Sequence, residues 1–169
     1  MSGQRQGPRL GVDVGSVRIG VAVSDPNGVL AVPLATVRRG TGDLSEIAGL
    51  AAERGVAGLV VGLPISLSGK EGPAAQASRV FATDLARRVA PTPVRLVDER
   101  LTTASASRGL REAGVSSRQA RHVVDQVAAA AILQGALDME RGGRTEVGEL
   151  VEAPLTQNET AVPDETRDG

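Results

Sequence analysis

The feature that most constrains the fold is a change of pattern near residue 43. Before it, three short runs rich in β-branched residues, 10–15, 19–25 and 29–37, are joined by links of turn length. Such runs are typical of an antiparallel meander. Pro33 places the third run at an edge of the sheet, because proline has no backbone N–H to donate to a further strand. After residue 43, helical and strand patterns alternate, which is typical of parallel strands joined by crossover helices.

The alternating part predicts two strands and four helices. The strands are 57–64 and 93–100, and the helices are 43–55 (with Asp43 as N-cap), 73–90, 102–114 and 116–143. The run 57–64 is continuously apolar, as in strands buried on both faces, so it is predicted to lie beside a central first strand. The fold class is therefore α/β, with a mixed five-stranded sheet, three antiparallel strands and then two parallel ones, flanked by helices.

The domain organisation follows from where apolar residues end. Residues 9–142 are predicted to form one domain, and residues 1–8 a disordered N-terminus. Residues 143–169 are acidic, contain two prolines and have little to bury, so they are predicted to be a disordered tail.

Composition excludes several kinds of site. The chain has no cysteine and one histidine, which excludes disulfides, thiolate metal sites and sites built from several histidines. Phe81 is the only aromatic residue, which argues against a surface that stacks nucleobases on rings. No apolar stretch approaches the roughly 20 residues of a membrane span, and residues 1–9 lack a signal-peptide core. We expect a cytoplasmic protein without a membrane partner.

The formal net charge of −1 hides an asymmetry. Residues 145–169 carry seven acids and one base, which leaves 13 acids and 18 bases, a charge of about +5, in residues 1–144. Seventeen of those 18 bases are arginine, whose planar guanidinium matches a phosphate group. This balance is compatible with a polyanionic partner, although arginine-rich chains also arise without one.

Three acidic positions stand where an acid is costly. Asp13 interrupts the first strand, Asp98 and Glu99 end the fifth, and Asp125 lies on the apolar face of the last helix. Each has an ordinary explanation as well. Asp13 can bond nearby backbone amides, Asp98 and Glu99 can form a solvated charge cluster, and Asp125 can be the buried partner of an arginine such as Arg121.

The predicted topology nevertheless brings these positions to one cleft. Carboxylates from three elements repel one another unless a cation lies between them. Oxygen ligands without cysteine or histidine select Mg²⁺ or Mn²⁺, and two such ions can stabilise the attacking and leaving oxygens of a phosphodiester. The pattern does not choose between Asp98 and Glu99, because neighbouring residues of a strand point to opposite faces.

Four motifs in order resemble the YqgF/RuvX family of ribonuclease H-like proteins over about Arg9 to Leu137: "GVDVGSVRIGVAVSD", "VVGLP", "VDERLTT" and "VDQVAAAAILQGAL". The resemblance implies a ribonuclease H-like fold and a metal-dependent nuclease site. It places the catalytic and metal-binding acids at Asp13, Glu99 and Asp125. It also implies maturation of the 5′ end of 16S rRNA in the cytoplasm, and some relatives resemble resolvases of four-way DNA junctions.

Other features leave alternatives open. Lys70, Arg100 and Arg18 are candidate phosphate contacts, although a surface role suits each of them too. The loop 65–72 departs from the family at Ser66, where many relatives have asparagine.

A DNA junction resolvase and a non-catalytic RNA-binding assembly factor remain alternatives. A kinase-type or actin-like ATPase is disfavoured because a second Asp-x-Gly loop is missing. Monomer and homodimer are both compatible with the sequence.

Overall fold

The structure is a computed structural model, and it describes residues 6–102, 118–143 and 147–153. Its strands are β1 (Arg9–Val14), β2 (Arg18–Ser24), β3 (Ala31–Arg38), β4 (Gly58–Leu63), β5 (Val94–Asp98) and β6 (Glu149–Leu150). Its helices are α1 (Asp43–Glu53), α2 (Pro73–Val89) and α3 (Arg118–Arg141), and a 3₁₀ turn spans Glu99–Leu101. The helix predicted over 102–114 lies outside the described residues apart from Thr102, and so do residues 1–5.

The strands form one mixed sheet in the order β3-β2-β1-β4-β5-β6. β1, β2 and β3 pair antiparallel, and β1, β4 and β5 pair parallel, as predicted. β1 is central beside β4, and β3 is an edge strand in which Pro33 lies next to an irregularity in the pairing with β2. The α/β fold class is therefore confirmed.

Two details differ from the sequence prediction. The sheet has six strands and not five, because Glu149 and Leu150 pair antiparallel with the free edge of β5. The acidic composition of this segment concealed a buried Val147 and an ion pair from Glu149 to Arg79 at 2.7 Å. The N-cap of α1 is also not Asp43 but Gly42, in the left-handed conformation.

Side chains alternate between two faces of the sheet, and each face has its own apolar cluster. On β1, Leu10, Val12 and Val14 face α1 and α2, where Phe81 and Leu85 complete the larger cluster. Gly11 and Asp13 point to the opposite face, which α3 covers with a smaller cluster that includes Ile132 and Leu133. α3 thus lies on the face of the sheet that carries Asp13.

Three glycines allow α3 to lie unusually close to the sheet. A Cβ atom added to Gly20 on β2 would lie 1.9 Å from the backbone oxygen of Asp125. One added to Gly11 on β1 would lie 2.8 Å from the backbone oxygen of Ala129, and one on Gly62 of β4 would lie 2.5 Å from Ile132. A larger residue at Gly11 or Gly20 requires the helix to move away, whereas one at Gly62 requires the ends of the Ile132 and Glu99 side chains to move.

Polar contacts hold α3 in this position along its length. Near its start, the Gln126 side-chain amide donates to Thr36 of β3 at 3.0 Å. Further along, Gln134 accepts from the backbone N–H of Ala31 at 2.9 Å. At its end, Glu140 forms two hydrogen bonds with Arg9, of 2.8 and 2.9 Å. The helix is therefore fixed in register as well as in distance. None of the helices in the described ranges is long and apolar enough to cross a membrane.

The close approach of α3 predicts a large difference between two glycine-to-alanine substitutions. Gly20→Ala should lower the free energy of unfolding by about 3 kcal/mol, the upper end for overpacking, because the contacted atom is backbone. Gly49→Ala on the exposed side of α1 meets no atom within 4 Å and should raise it by about 0.5 to 1 kcal/mol. Urea denaturation followed by circular dichroism measures both. Equal stability of Gly20→Ala and the wild type would contradict this packing.

Candidate active site

The candidate site lies at the carboxyl ends of the parallel strands, on the face that α3 covers. Asp13 is 1% exposed, Glu99 is 4% exposed and Asp125 is 1% exposed. Burial of a carboxylate is costly unless charge or hydrogen bonds compensate for it, so three such residues in one region indicate a purpose beyond packing.

Asp13 and Asp125 are brought together through Gly20. Asp13 is the direct partner of Gly20 in the antiparallel pairing of β1 with β2. The backbone of Asp125 lies directly over Gly20, within 1.9 Å of where a Cβ would stand. Asp125 continues the buried stripe formed on α3 by Ala128, Ala129, Ile132 and Leu133, which is why its side chain points to the sheet and not to solvent.

Glu99 reaches the same region from the other side of Asp13. Val12 of β1 pairs with Val61 of β4, so Asp13 and Gly62 are the next residues along these two strands. The Oε1 atom of Glu99 lies 2.7 Å from where a Cβ of Gly62 would stand. Asp13 thus lies between two glycine positions, one covered by Asp125 and the other by Glu99.

Asp98 has a different environment, which separates it from Glu99. Its carboxylate accepts from the backbone N–H of Arg100 at 2.9 Å and caps the 3₁₀ turn. It also accepts from Nη2 of Arg100 at 2.7 Å. These contacts to Arg100, the side-chain hydrogen bond first, hold the pKa of Asp98 below its usual range. Asp98 is therefore an outward-facing cap, and Glu99 is the acid on the face that carries Asp13.

The carboxylate of Asp125 has a cationic partner. Nε of Arg18, at the start of β2, donates to Oδ2 of Asp125 at 2.7 Å. Pairing with an arginine was the ordinary explanation of Asp125 from sequence, but the arginine suggested there was Arg121. Arg18 is also the residue predicted from sequence as a candidate phosphate contact, and in this structure its guanidinium lies against Asp125.

The three acids share a region but not a closed ligand shell. In the ranges that the structure describes, no group of three or more histidine, cysteine, aspartate or glutamate residues is arranged to hold a metal ion. The ligand chemistry does fit a hard divalent cation, because the buried groups supply oxygen atoms alone. A positive charge, the Arg18 guanidinium, already lies against one of them.

Two candidate phosphate contacts lie beside this region. The loop after β4 closes on itself, since the backbone N–H of Lys70 donates to Oγ of Ser66 at 3.1 Å and Gly69 donates to the Ser66 carbonyl at 2.8 Å. Lys70 is exposed. Arg100 approaches the same loop, with Nη1 at 3.5 Å from the Ser66 carbonyl oxygen, while its guanidinium is held by Asp98. Lys70 is thus the more available of the two cations.

Several features of the site were missed from sequence. Gly11 and Gly62, which let neighbouring groups approach the sheet closely, carried no prediction. Their signal is a glycine at an alternate position of an otherwise β-branched strand, where a neighbouring backbone or side chain approaches closely. The Arg18–Asp125 pair has no signal in the sequence, because its members are 107 residues apart.

Comparison with known proteins places this geometry in context. The model of the RuvX family, described as Holliday junction resolvase, matches residues 7–139. A protein of Thermobifida fusca (strain YX) named "Putative pre-16S rRNA nuclease" is 55% identical over 156 residues, covering 88% of this chain and 98% of the relative. A protein of the same name from Nocardioides sp. (strain ATCC BAA-499 / JS614) is 58% identical over 153 residues, with the same coverage.

A solved structure shows the same fold at low sequence identity. T. thermophilus RuvC in complex with a Holliday junction substrate superimposes with a TM-score of 0.54 at 12% identity, over 85% of this chain and 99% of RuvC. This likeness supports the ribonuclease H-like arrangement of sheet and helices. The match of the family model over residues 7–139 and the two relatives at 55% and 58% identity show that the chain belongs to the RuvX family.

Proposed function

We propose that this chain is a divalent-metal-dependent nuclease whose site is formed by Asp13, Glu99 and Asp125. The observation that carries the proposal is the placement of these buried acids on one face of the sheet, with Glu99 on one side of Asp13 and Asp125 on the other. Close relatives are named as nucleases, so the chain is assigned to the hydrolases that act on ester bonds.

The roles proposed for the residues follow from their positions. Asp13 on the central strand, with Glu99 and Asp125 on either side of it, would hold the metal. When bound, Mg²⁺ or Mn²⁺ would supply water activation and charge stabilisation at the leaving oxygen. Gly20 and Gly62 leave room for Asp125 and Glu99 to lie beside Asp13, and α3 keeps bulk water from the buried side of the site.

The proposed substrate is the 5′ leader of precursor 16S rRNA, and the proposed location is the cytoplasm. The names of the relatives at 55% and 58% identity support precursor 16S rRNA as the substrate. A four-way DNA junction is a second candidate, because the matching family model is described as a Holliday junction resolvase. The hydrolytic chemistry is the same for both, so the substrates must be compared directly.

Substitution of Asp13 tests the proposed site. Purified protein with Mn²⁺ should cleave a precursor 16S rRNA leader, and Asp13→Asn should slow cleavage about a thousandfold, equivalent to about 4 kcal/mol, because a central ligand loses its charge. Asp84→Asn is the matched control, because Asp84 is a half-exposed acid of α2 paired with Arg87. Gel assays of cleavage, with circular dichroism to show intact folding, measure the effect.

The same assay separates the alternatives. Cleavage of the leader and not of a four-way DNA junction supports the proposal, and the reverse selectivity supports a resolvase. Binding of the leader without cleavage of either substrate would identify a non-catalytic RNA-binding assembly factor. Cleavage by Asp13→Asn at the wild-type rate would overturn the site assignment.

A further prediction concerns Lys70, the single lysine of the chain. If its ammonium contacts a phosphate, Lys70→Gln should weaken RNA binding and reduce the slope of log K against log salt by about 0.7 to 1. Arg87→Gln is the control, since it removes one positive charge from the far face of the sheet. Fluorescence anisotropy at several salt concentrations measures both slopes. An unchanged slope for Lys70→Gln would show that Lys70 makes no phosphate contact.

A further inference from the structure

The Arg18–Asp125 ion pair joins a partly exposed cation to an almost fully buried carboxylate. Nε of Arg18 lies 2.7 Å from Oδ2 of Asp125, and the side chains are 23% and 2% exposed. In most of the other pairs, at least one of the two side chains is about one-third exposed or more, as in Arg87–Asp84 and Arg141–Asp138. The Arg18 pair is therefore much less screened by solvent than those pairs.

The two residues differ in their freedom to move. Asp125 is held by the packing of α3 against Gly20, so its backbone cannot shift without opening the helix–sheet interface. Arg18 is the first residue of β2, next to the exposed Val17 of the turn, and its long side chain retains access to solvent. The cation can therefore leave, whereas the anion stays.

A second arginine lies beside Arg18 on the sheet. Arg18 pairs directly with Arg38 in the antiparallel register of β2 and β3. Arg38 is exposed, and the two guanidinium groups add positive charge to one end of the sheet. Like charges at directly opposed positions destabilise a sheet unless an anion compensates for them, and the Asp125 carboxylate is such an anion.

We propose that Arg18 is an internal counter-cation of Asp125 that a divalent metal ion displaces. This inference rests on the proposed function, in which Asp125 is a metal ligand. A single carboxylate carries one negative charge, so a guanidinium and a divalent ion close to it repel each other strongly where solvent screening is weak. Arg18 therefore stabilises the metal-free protein and lowers its apparent affinity for metal.

The displaced guanidinium has a use at the same place. Once it leaves Asp125, it lies with Arg38 at the end of the sheet where the acids are, and phosphate is the anion that its planar donor group suits best. Metal binding would then turn an internal ion pair into a phosphate contact. This reconciles the phosphate role expected of Arg18 from sequence with its position against Asp125.

Calorimetric titration with Mn²⁺ alone tests the competition. Arg18→Gln should bind Mn²⁺ about tenfold more tightly than the wild type, because the binding-competent carboxylate no longer has to be released first. Arg38→Gln is the matched control, since it removes the same charge from the paired position without the contact to Asp125. Its affinity should stay within about threefold of the wild type.

Thermal unfolding is a second measurement, and it tests the proposal even when Arg18→Gln is less stable than the wild type. Its melting temperature in EDTA should be below that of the wild type, since Asp125 loses a counter-charge, and Mn²⁺ should raise it by more than it raises that of the wild type. Arg18→Lys, which keeps a positive charge, should show an intermediate affinity. In the Asp125→Asn background, the additional substitution Arg18→Gln should no longer tighten Mn²⁺ binding.

The outcomes separate this inference from the proposed function. Wild-type binding of Mn²⁺ with equal or weaker binding by Arg18→Gln overturns the competition and leaves the metal site standing. A gain that persists in the Asp125→Asn background also overturns it, because the effect would not pass through Asp125. The absence of Mn²⁺ binding in every variant overturns both the inference and the metal dependence of the proposed function.

Discussion

The close packing of α3 against three strands is the constraint on which the rest of the structure depends. Gly11 and Gly20 leave the face of the sheet open enough for the helix backbone to lie directly on it, and Gly62 leaves room for the side chains of Ile132 and Glu99. The helix in turn places the backbone of Ala129 over Gly11, and Ala128 and Ala129 are both fully buried. Small residues on the sheet and on the helix bury less apolar area than large ones would, but they let the helix approach the sheet closely. This close approach places Asp125 beside Asp13 and Glu99.

The buried acids that the proposed activity requires lower the stability of the fold. Three buried acids on one face would repel one another, and the structure compensates at least Asp125 with the guanidinium of Arg18. A cation is thus needed in the folded protein whether or not a metal ion is bound. The opposite face, around Phe81 and Leu85, differs in that the guanidinium of Arg39 lies 5.2 Å from the Phe81 ring and the buried acids Asp13, Glu99 and Asp125 all lie on the α3 side.

Sequence patterns predicted the elements well where the physics is local or repetitive. The meander, the edge position of β3, the central β1 and the stop of the long helix at Gly142 and Gly143 all follow from periodicity and turn chemistry. The burial of Asp13, Glu99 and Asp125 was also accessible, since each interrupts an apolar pattern. β6 was missed because a two-residue strand has no periodicity, and Arg18–Asp125 because a pair across 107 residues is set by tertiary packing. Which acids act in catalysis is a separate matter that the cleavage and titration experiments address.

The scarcity of aromatic residues limits how such a site can select a nucleic acid. The one aromatic side chain, Phe81, is 5% exposed in the cluster opposite α3, so bases cannot stack on it. Arginine and lysine contacts to phosphate position a strand but carry no base sequence information. For the proposed nuclease function, recognition would therefore not use base stacking on aromatic rings and would draw on the shape of the substrate and on contacts to its backbone. Such recognition would tolerate variation in base sequence, and cations such as Lys70 and Arg18 would then help to set where the backbone lies.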